Sequence, residues 1–313
     1  MLHLLQSMDR RWIYLLLSVV LIVALIVGKP VKPVVLPSVQ QLYDVIEAAP
    51  AGPEDGKIIL IGTTFAANTV GENGNQARAI IRHLMMRQKR FAVMAVGEPV
   101  GAEIGRIIPA SLAKRYGYEY GRDWIAFGYQ LNNLAFYKSF PLDIQKTIKV
   151  DAVNHKPLGS YEIMQGIKTV QDNVALHVEL SASSSLSDWL MIVQPMTRPR
   201  LKIGYGCTGV MATEAYPYLD SGQLVGMLPG LKGAADYEQL VDELEMRLTP
   251  GLQAEQITFP SIPRIGLYHS ARHLMFAQNA AHILIILLII LGNVGMFLMK
   301  RQPKPAAKEA AND

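Results

Sequence analysis

Ile58–Gly62 (IILIG), Asn75–Gln88 (NQARAIIRHLMMRQ) and Phe91–Val96 (FAVMAV) decide the fold. The first and third are short, continuous apolar runs, the pattern of strands buried on both faces. The run between them sets Ala79, Ile80, His83, Leu84 and Arg87 at helical spacing. Strand, helix and strand in that order make a unit whose two strands lie parallel. The alternation continues outward. Ala102–Tyr116 reads as a helix, Trp124–Tyr129 as a third strand, Val174–Leu180 as a fourth and Leu186–Val193 as a helix. Leu201–Tyr205 is a fifth strand and Ala234–Leu248 a further helix. The expected fold is α/β: a doubly wound, mostly parallel sheet domain flanked by N- and C-terminal transmembrane helices. Residues 131–170 fit least well and suggest an extra hairpin or a lid-like excursion. There is no internal repeat.

The flanks are the only long charge-free apolar runs, Trp12–Val27 and Ile283–Met299. A spanning helix needs about 20 mostly apolar residues, and each run reaches that with its neighbours. With 313 residues, 50% hydrophobic, the chain is too apolar for an ordinary soluble domain and too polar for a multi-span transporter. The expected organisation is an N-terminal anchor (1–28), a Pro-rich tether (29–56), the α/β domain (57–250), a membrane-proximal segment (251–276), a transmembrane helix (277–300) and a disordered tail (301–313). Within the tether, Val39, Leu42, Val45 and Ile46 mark one amphipathic helical patch.

The net charge is +4, but much of the excess flanks the spans. Arg10, Arg11, Lys300, Arg301, Lys304 and Lys308 lie on the terminal side, against Lys29, Lys32, Arg264 and Arg272 on the domain side. The positive-inside rule then puts the termini in the cytoplasm and the domain outside. A cleaved signal peptide is the alternative for the first run, but Gly28–Pro33 offers no small-residue cleavage site, which favours a retained anchor. No basic stripe interleaved with aromatics marks a nucleic-acid partner. The single cysteine, Cys207, excludes an intrachain disulfide and a cysteine-based metal site. No metal or cofactor is expected.

Ligands of open parallel sheets bind beyond the carboxyl ends of the strands. Those ends carry Thr63, Thr64, Glu98, Ser183, Gly206 and Thr208 as candidate ligand or catalytic residues. Gly204-Tyr205-Gly206-Cys207-Thr208-Gly209 suggests a nucleophile at a strand-to-helix turn, although Tyr205 stands where a nucleophile elbow has its first glycine. A thiol nucleophile also needs a base, and nothing in the spacing brings His155 or His177 to Cys207. A small buried cysteine in a Gly-rich turn accounts for the same residues. Glu98 can act as a base or simply enter the next helix near its positive end. The serine run Ser181–Ser185 can hold an oxyanion but also caps a helix. Tyr216, Tyr218, Leu224, Leu228 and Leu231 belong to an apolar, Gly-rich segment that is either an interface or a fold-back onto its own core. Asn293, between Gly292 and Gly295, offers a polar contact for another helix.

Asp9-Arg10-Arg11-Trp12, Tyr116–Asp123, Tyr216–Glu238 and Ala277–His282 together resemble an uncharacterised family of bacterial membrane proteins with one transmembrane span at each end of an α/β domain. That resemblance implies the architecture and a bacterial inner membrane, and no catalytic residue. The leading expectation is a non-enzymatic subunit that scaffolds or assembles a larger membrane complex. Its partners would be other membrane proteins, copies of itself and the bilayer. The alternatives are a membrane-bound hydrolase or transferase using Cys207 or Glu98, and a small-molecule-sensing domain using the same crevice.

Overall fold

The computed structural model describes residues 9–28, 32–253, 257 and 261–300; the expected disordered tail lies outside these. Contacts divide the chain into two units, Val31–Arg272 and the terminal segments Met1–Pro30 with His273–Asp313.

The elements run in chain order as α1 (Arg10–Val27), α2 (Pro37–Ala48), β1 (Ile58–Thr64), α3 (Asn75–Met86), β2 (Phe91–Val96), α4 (Pro99–Tyr116) and β3 (Trp124–Gln130). Short helices α5 (Leu134–Ser139), α6 (Ile144–Thr147) and α7 (Val170–Asn173) then lead to β4 (Val174–Ser181) and α8 (Ser185–Asp188). β5 (Ile203–Cys207), α9 (Ala212–Asp220), β6 (Met227–Pro229), α10 (Gly230–Leu248) and α11 (Ala271–Lys300) complete the chain.

All six strands are parallel, in the order β3-β2-β1-β4-β5-β6. This is the doubly wound order whose direction reverses between β1 and β4, the place where such sheets open a crevice. Every residue of β1 is buried, as a central strand covered on both faces requires. Alternate side chains feed two cores. Ile59 and Ile61 pack with α2, α3, α4 and α10 through Leu42, Ile80, Ile108 and Val241. Ile58 and Leu60 pack with the segment between β3 and β4 and with the residues after α8, through Phe140, Ile163 and Trp189.

Within residues 131–170 a small hairpin forms, with Val150 bridging Pro157 antiparallel, and there is no lid: Phe136, Phe140, Ile144 and Ile163 are buried and roof the second face of the sheet. The amphipathic patch within the tether is helix α2, and Leu42 fills the space that the missing side chains of Gly204 and Gly226 leave over β5 and β6.

In the terminal unit, α1 and α11 are both long and apolar enough to cross a membrane, with mean hydropathies of 2.2 and 2.4 over their windows. Both are mostly exposed, unlike core helices of a soluble body. Gly28 ends α1 against the Phe276 ring, where a Cβ would clash. Gly292 and Gly295 have open space where a Cβ would stand, and Asn293 is exposed.

Candidate functional site

The carboxyl edge of the sheet brings together the ends of β1, β4, β5 and β6, and most nominated residues lie there. Thr63 and Thr64 are buried. The Thr63 hydroxyl donates to the Met94 carbonyl at 3.2 Å, and the Thr64 hydroxyl accepts from the Val96 N–H at 3.4 Å. Both hydroxyls therefore tie β1 to β2.

The loop after β1 tightens into a π-turn, Val70–Gly74, running straight into α3. Its Glu72 accepts the Gly209 N–H at 2.8 Å. An amide in a Gly-rich turn is what a phosphate would use, and here the chain's own carboxylate occupies it. Gln76, fully buried, holds the ends of β5 and β6 together. Its Nε2 lies 2.9 Å from the Cys207 carbonyl, 3.1 Å from that of Leu228 and 3.0 Å from that of Gly230. Asn73 donates to the Gly206 carbonyl at 3.2 Å. A Cβ at Gly206 would collide with Gln76 and Leu180, so glycine is what lets this staple close.

Cys207 is fully buried, its Sγ 3.9 Å from the Leu228 carbonyl. Burial pushes its thiol up to about 12, so the reactive thiolate is disfavoured. Neither histidine serves it. His155 stands in an exposed turn with φ +54°, and the His177 Nδ1 donates to the Leu60 carbonyl at 3.2 Å. Glu98 is the residue preceding α4, half-buried, with Pro99 as the first helical residue. Thr208 is buried beside the turn.

A polar stripe runs down β4 at strand period: His177, Glu179 and Ser181, all fully buried. The Ser185 hydroxyl donates to Glu179 Oε1 at 2.6 Å, and Glu179 Oε2 lies 3.1 Å from His177 Nε2. The Ser181 and Ser185 hydroxyls are 2.9 Å apart, and Ser181 is 3.0 Å from the half-buried Ser183. Trp189 covers the His177 ring at 4.0 Å between centroids. Glu179 was not among the nominated residues. Its signal was there, as polar residues at alternate positions of an otherwise apolar strand.

The apolar Gly-rich segment resolves into two parts. Leu224 and Leu228 are core residues, which corrects their assignment to an interface: β6 and the turn before it fold back under α2. Tyr216 stays exposed, while Tyr218 and Leu231 are half-buried.

The chain matches no protein-family model, no curated protein and no solved structure.

The second concentration of charge lies along α10 and was not foreseen. At its start, Lys232 Nζ donates to the Val34 carbonyl at 2.6 Å, and Asp236 accepts the Leu36 N–H at 3.0 Å. Further along, Glu238 accepts the Ala271 N–H at 2.8 Å and Asp242 pairs with Arg272 at 3.0 Å. Arg82 from α3 is buried between Asp242 and Glu245. Arg78 donates to the His269 carbonyl at 3.0 Å. One helix thus grips the segment that follows the first apolar helix and the opening turn of the second.

Proposed function

We propose that the chain is a non-enzymatic, doubly membrane-anchored α/β subunit that scaffolds or assembles a larger bacterial inner-membrane complex, with its termini cytoplasmic and its domain outside. The observation that carries this reading is the grip of α10 on both lead segments. Those bonds tie into the core both ends of the body, the residues that continue in sequence into the two apolar helices. Support comes from the strand ends themselves: the Gly209 N–H donates to Glu72, the Cys207 carbonyl accepts from Gln76 and the Thr63 hydroxyl donates to the Met94 carbonyl, so these groups already have partners within the chain. Asn293 with its neighbouring glycines offers a helix-packing surface to a partner span or a second copy.

The test is affinity capture of the full chain from native membranes in mild detergent, read by mass spectrometry and native size. A discrete large particle with reproducible membrane partners is expected. A monodisperse monomer that recruits nothing overturns the proposal.

One observation favours the alternative of a membrane-bound hydrolase or transferase: the hydrogen-bonded line Glu179–Ser185–Ser181–Ser183 at the carboxyl end of β4, with His177 Nε2 3.1 Å from Glu179 Oε2. On that reading Ser183, and neither Cys207 nor Glu98, is the group to test. Loss of phenotype in Ser183→Ala at unchanged stability supports it; wild-type behaviour ends it.

A further inference from the structure

The cations of the body differ in what they face. Arg82, Arg87, Arg90 and Arg115 each pair with a carboxylate. Lys57, Arg200 and Lys202 line one groove of about 190 Å³ at the amino edge of the sheet. Among the described residues, none of these three side chains has an ion-pair or hydrogen-bond partner. The topology brings them together. Lys57 immediately precedes β1 and Lys202 immediately precedes β5, with β4 lying between those strands. Arg200 sits in a turn closed by the Leu201 N–H donating to the Thr197 hydroxyl at 2.8 Å.

The groove has no acid among its described walls. Acids close by in sequence are engaged within their own turns: Asp55 accepts the Gly52 N–H at 2.6 Å, and Asp172 accepts the Thr169 hydroxyl at 2.7 Å. Gln171 adds a donor to the groove. Its Oε1 accepts the Arg198 N–H at 3.2 Å, which leaves the Nε2 hydrogens for a ligand. The apolar part of the wall includes Val174 and Leu201, both buried. The neighbouring groove across Lys57 instead has Glu54 and Glu162 in its wall.

Like charges gathered without a counter-charge repel, and an anion among them relieves that repulsion. We propose that this groove binds a small organic anion, its oxyanion group held by Lys57, Arg200 and Lys202 and its apolar part resting on Val174 and Leu201. A guanidinium meets an oxyanion with two parallel N–H donors, and the ammonium groups act as point charges beside it. The groove is smaller than the roughly 300–1,000 Å³ of drug-sized sites, which limits the ligand to one ring or a short chain. The site stands apart from the scaffold reading: it holds whether or not the chain has membrane partners.

The probe is 4-fluorophenyl phosphate, followed by fluorine NMR line broadening with the full chain in dodecyl maltoside, against micelles alone. Saturable binding that weakens with added salt is expected. Arg200→Gln combined with Lys202→Gln should weaken it at least about fivefold at unchanged melting temperature. Lys149→Gln combined with Lys156→Gln removes the same charge beside the Val150–Pro157 bridge and should leave binding within about twofold. Inorganic phosphate should displace the probe only at several-fold higher concentration, because it leaves the apolar wall unused. Absence of saturable binding, an equal loss in both double variants, or displacement by inorganic phosphate at matching concentration overturns the proposal.

Discussion

Glu179 and Gly62 show how single positions fix this sheet. Gly62 sits in β1 opposite Glu179 of β4, and a Cβ there would overlap the carboxylate and crowd His177. Gly62→Ala is expected to destabilise the fold by about 1–3 kcal/mol through overpacking. Thermal unfolding of the full chain should show the loss, and adding Glu179→Ala should recover part of it, as contacting residues couple. Cys207 gives a second prediction. With its thiol buried and held up near 12, it should resist alkylation in the native protein and react at once in denaturant. Rapid native labelling would contradict the packing described. Gly206-Cys207-Thr208-Gly209 reads in sequence as a motif, but Gly206 makes room for Gln76 and Gly209 donates to Glu72, both well over a hundred residues away. Spacing along the chain cannot reveal such a partner.

Among the elements, α10 carries the strongest electrostatic consequence. Glu238 is buried, and that burial, reinforced by the nearby Asp242, raises its carboxyl to about 7. Arg78, the Ala271 N–H and Arg82 oppose the shift without cancelling it. The folded chain thus holds this proton where the unfolded chain, ionising near 4.5, has released it. A raised carboxyl makes stability fall as pH rises across that window, by about 3 kcal/mol in total. Glu238→Gln keeps an acceptor for Ala271 and removes the titration. Its melting temperature should match wild type near pH 5 and exceed it by several degrees at pH 8; parallel profiles would refute the assignment. Elements differ in how legible they are. Five strands could be read because each is a short, mainly apolar run bounded by polar or Gly-containing segments. β6 could not, since its three residues lie in a Gly-rich stretch and become a strand only by pairing with β5. α2 reads as a helix from its periodicity, but its place in the core depends on Gly204 and Gly226, far away in the chain.

At the scale of the molecule, hydropathy and alternation sufficed for the class: a parallel sheet in a body flanked by two apolar helices. The strand order was beyond reach, because the central β1–β4 pair joins Ile58 to Val174 across β2, β3 and the helices between them. Loop closure over that distance makes such sheets slow to assemble. The grip of α10 on Ala271 and Arg272 adds a condition of timing. During synthesis the first apolar helix is made before any strand, but the body lacks its last contacts until residue 272 has been added. The residues made next are those of the second apolar helix. Completion of the body and delivery of that helix are therefore consecutive steps on one growing chain, and until residue 272 is made Glu238 lacks the Ala271 N–H and Asp242 has Arg82 but not Arg272.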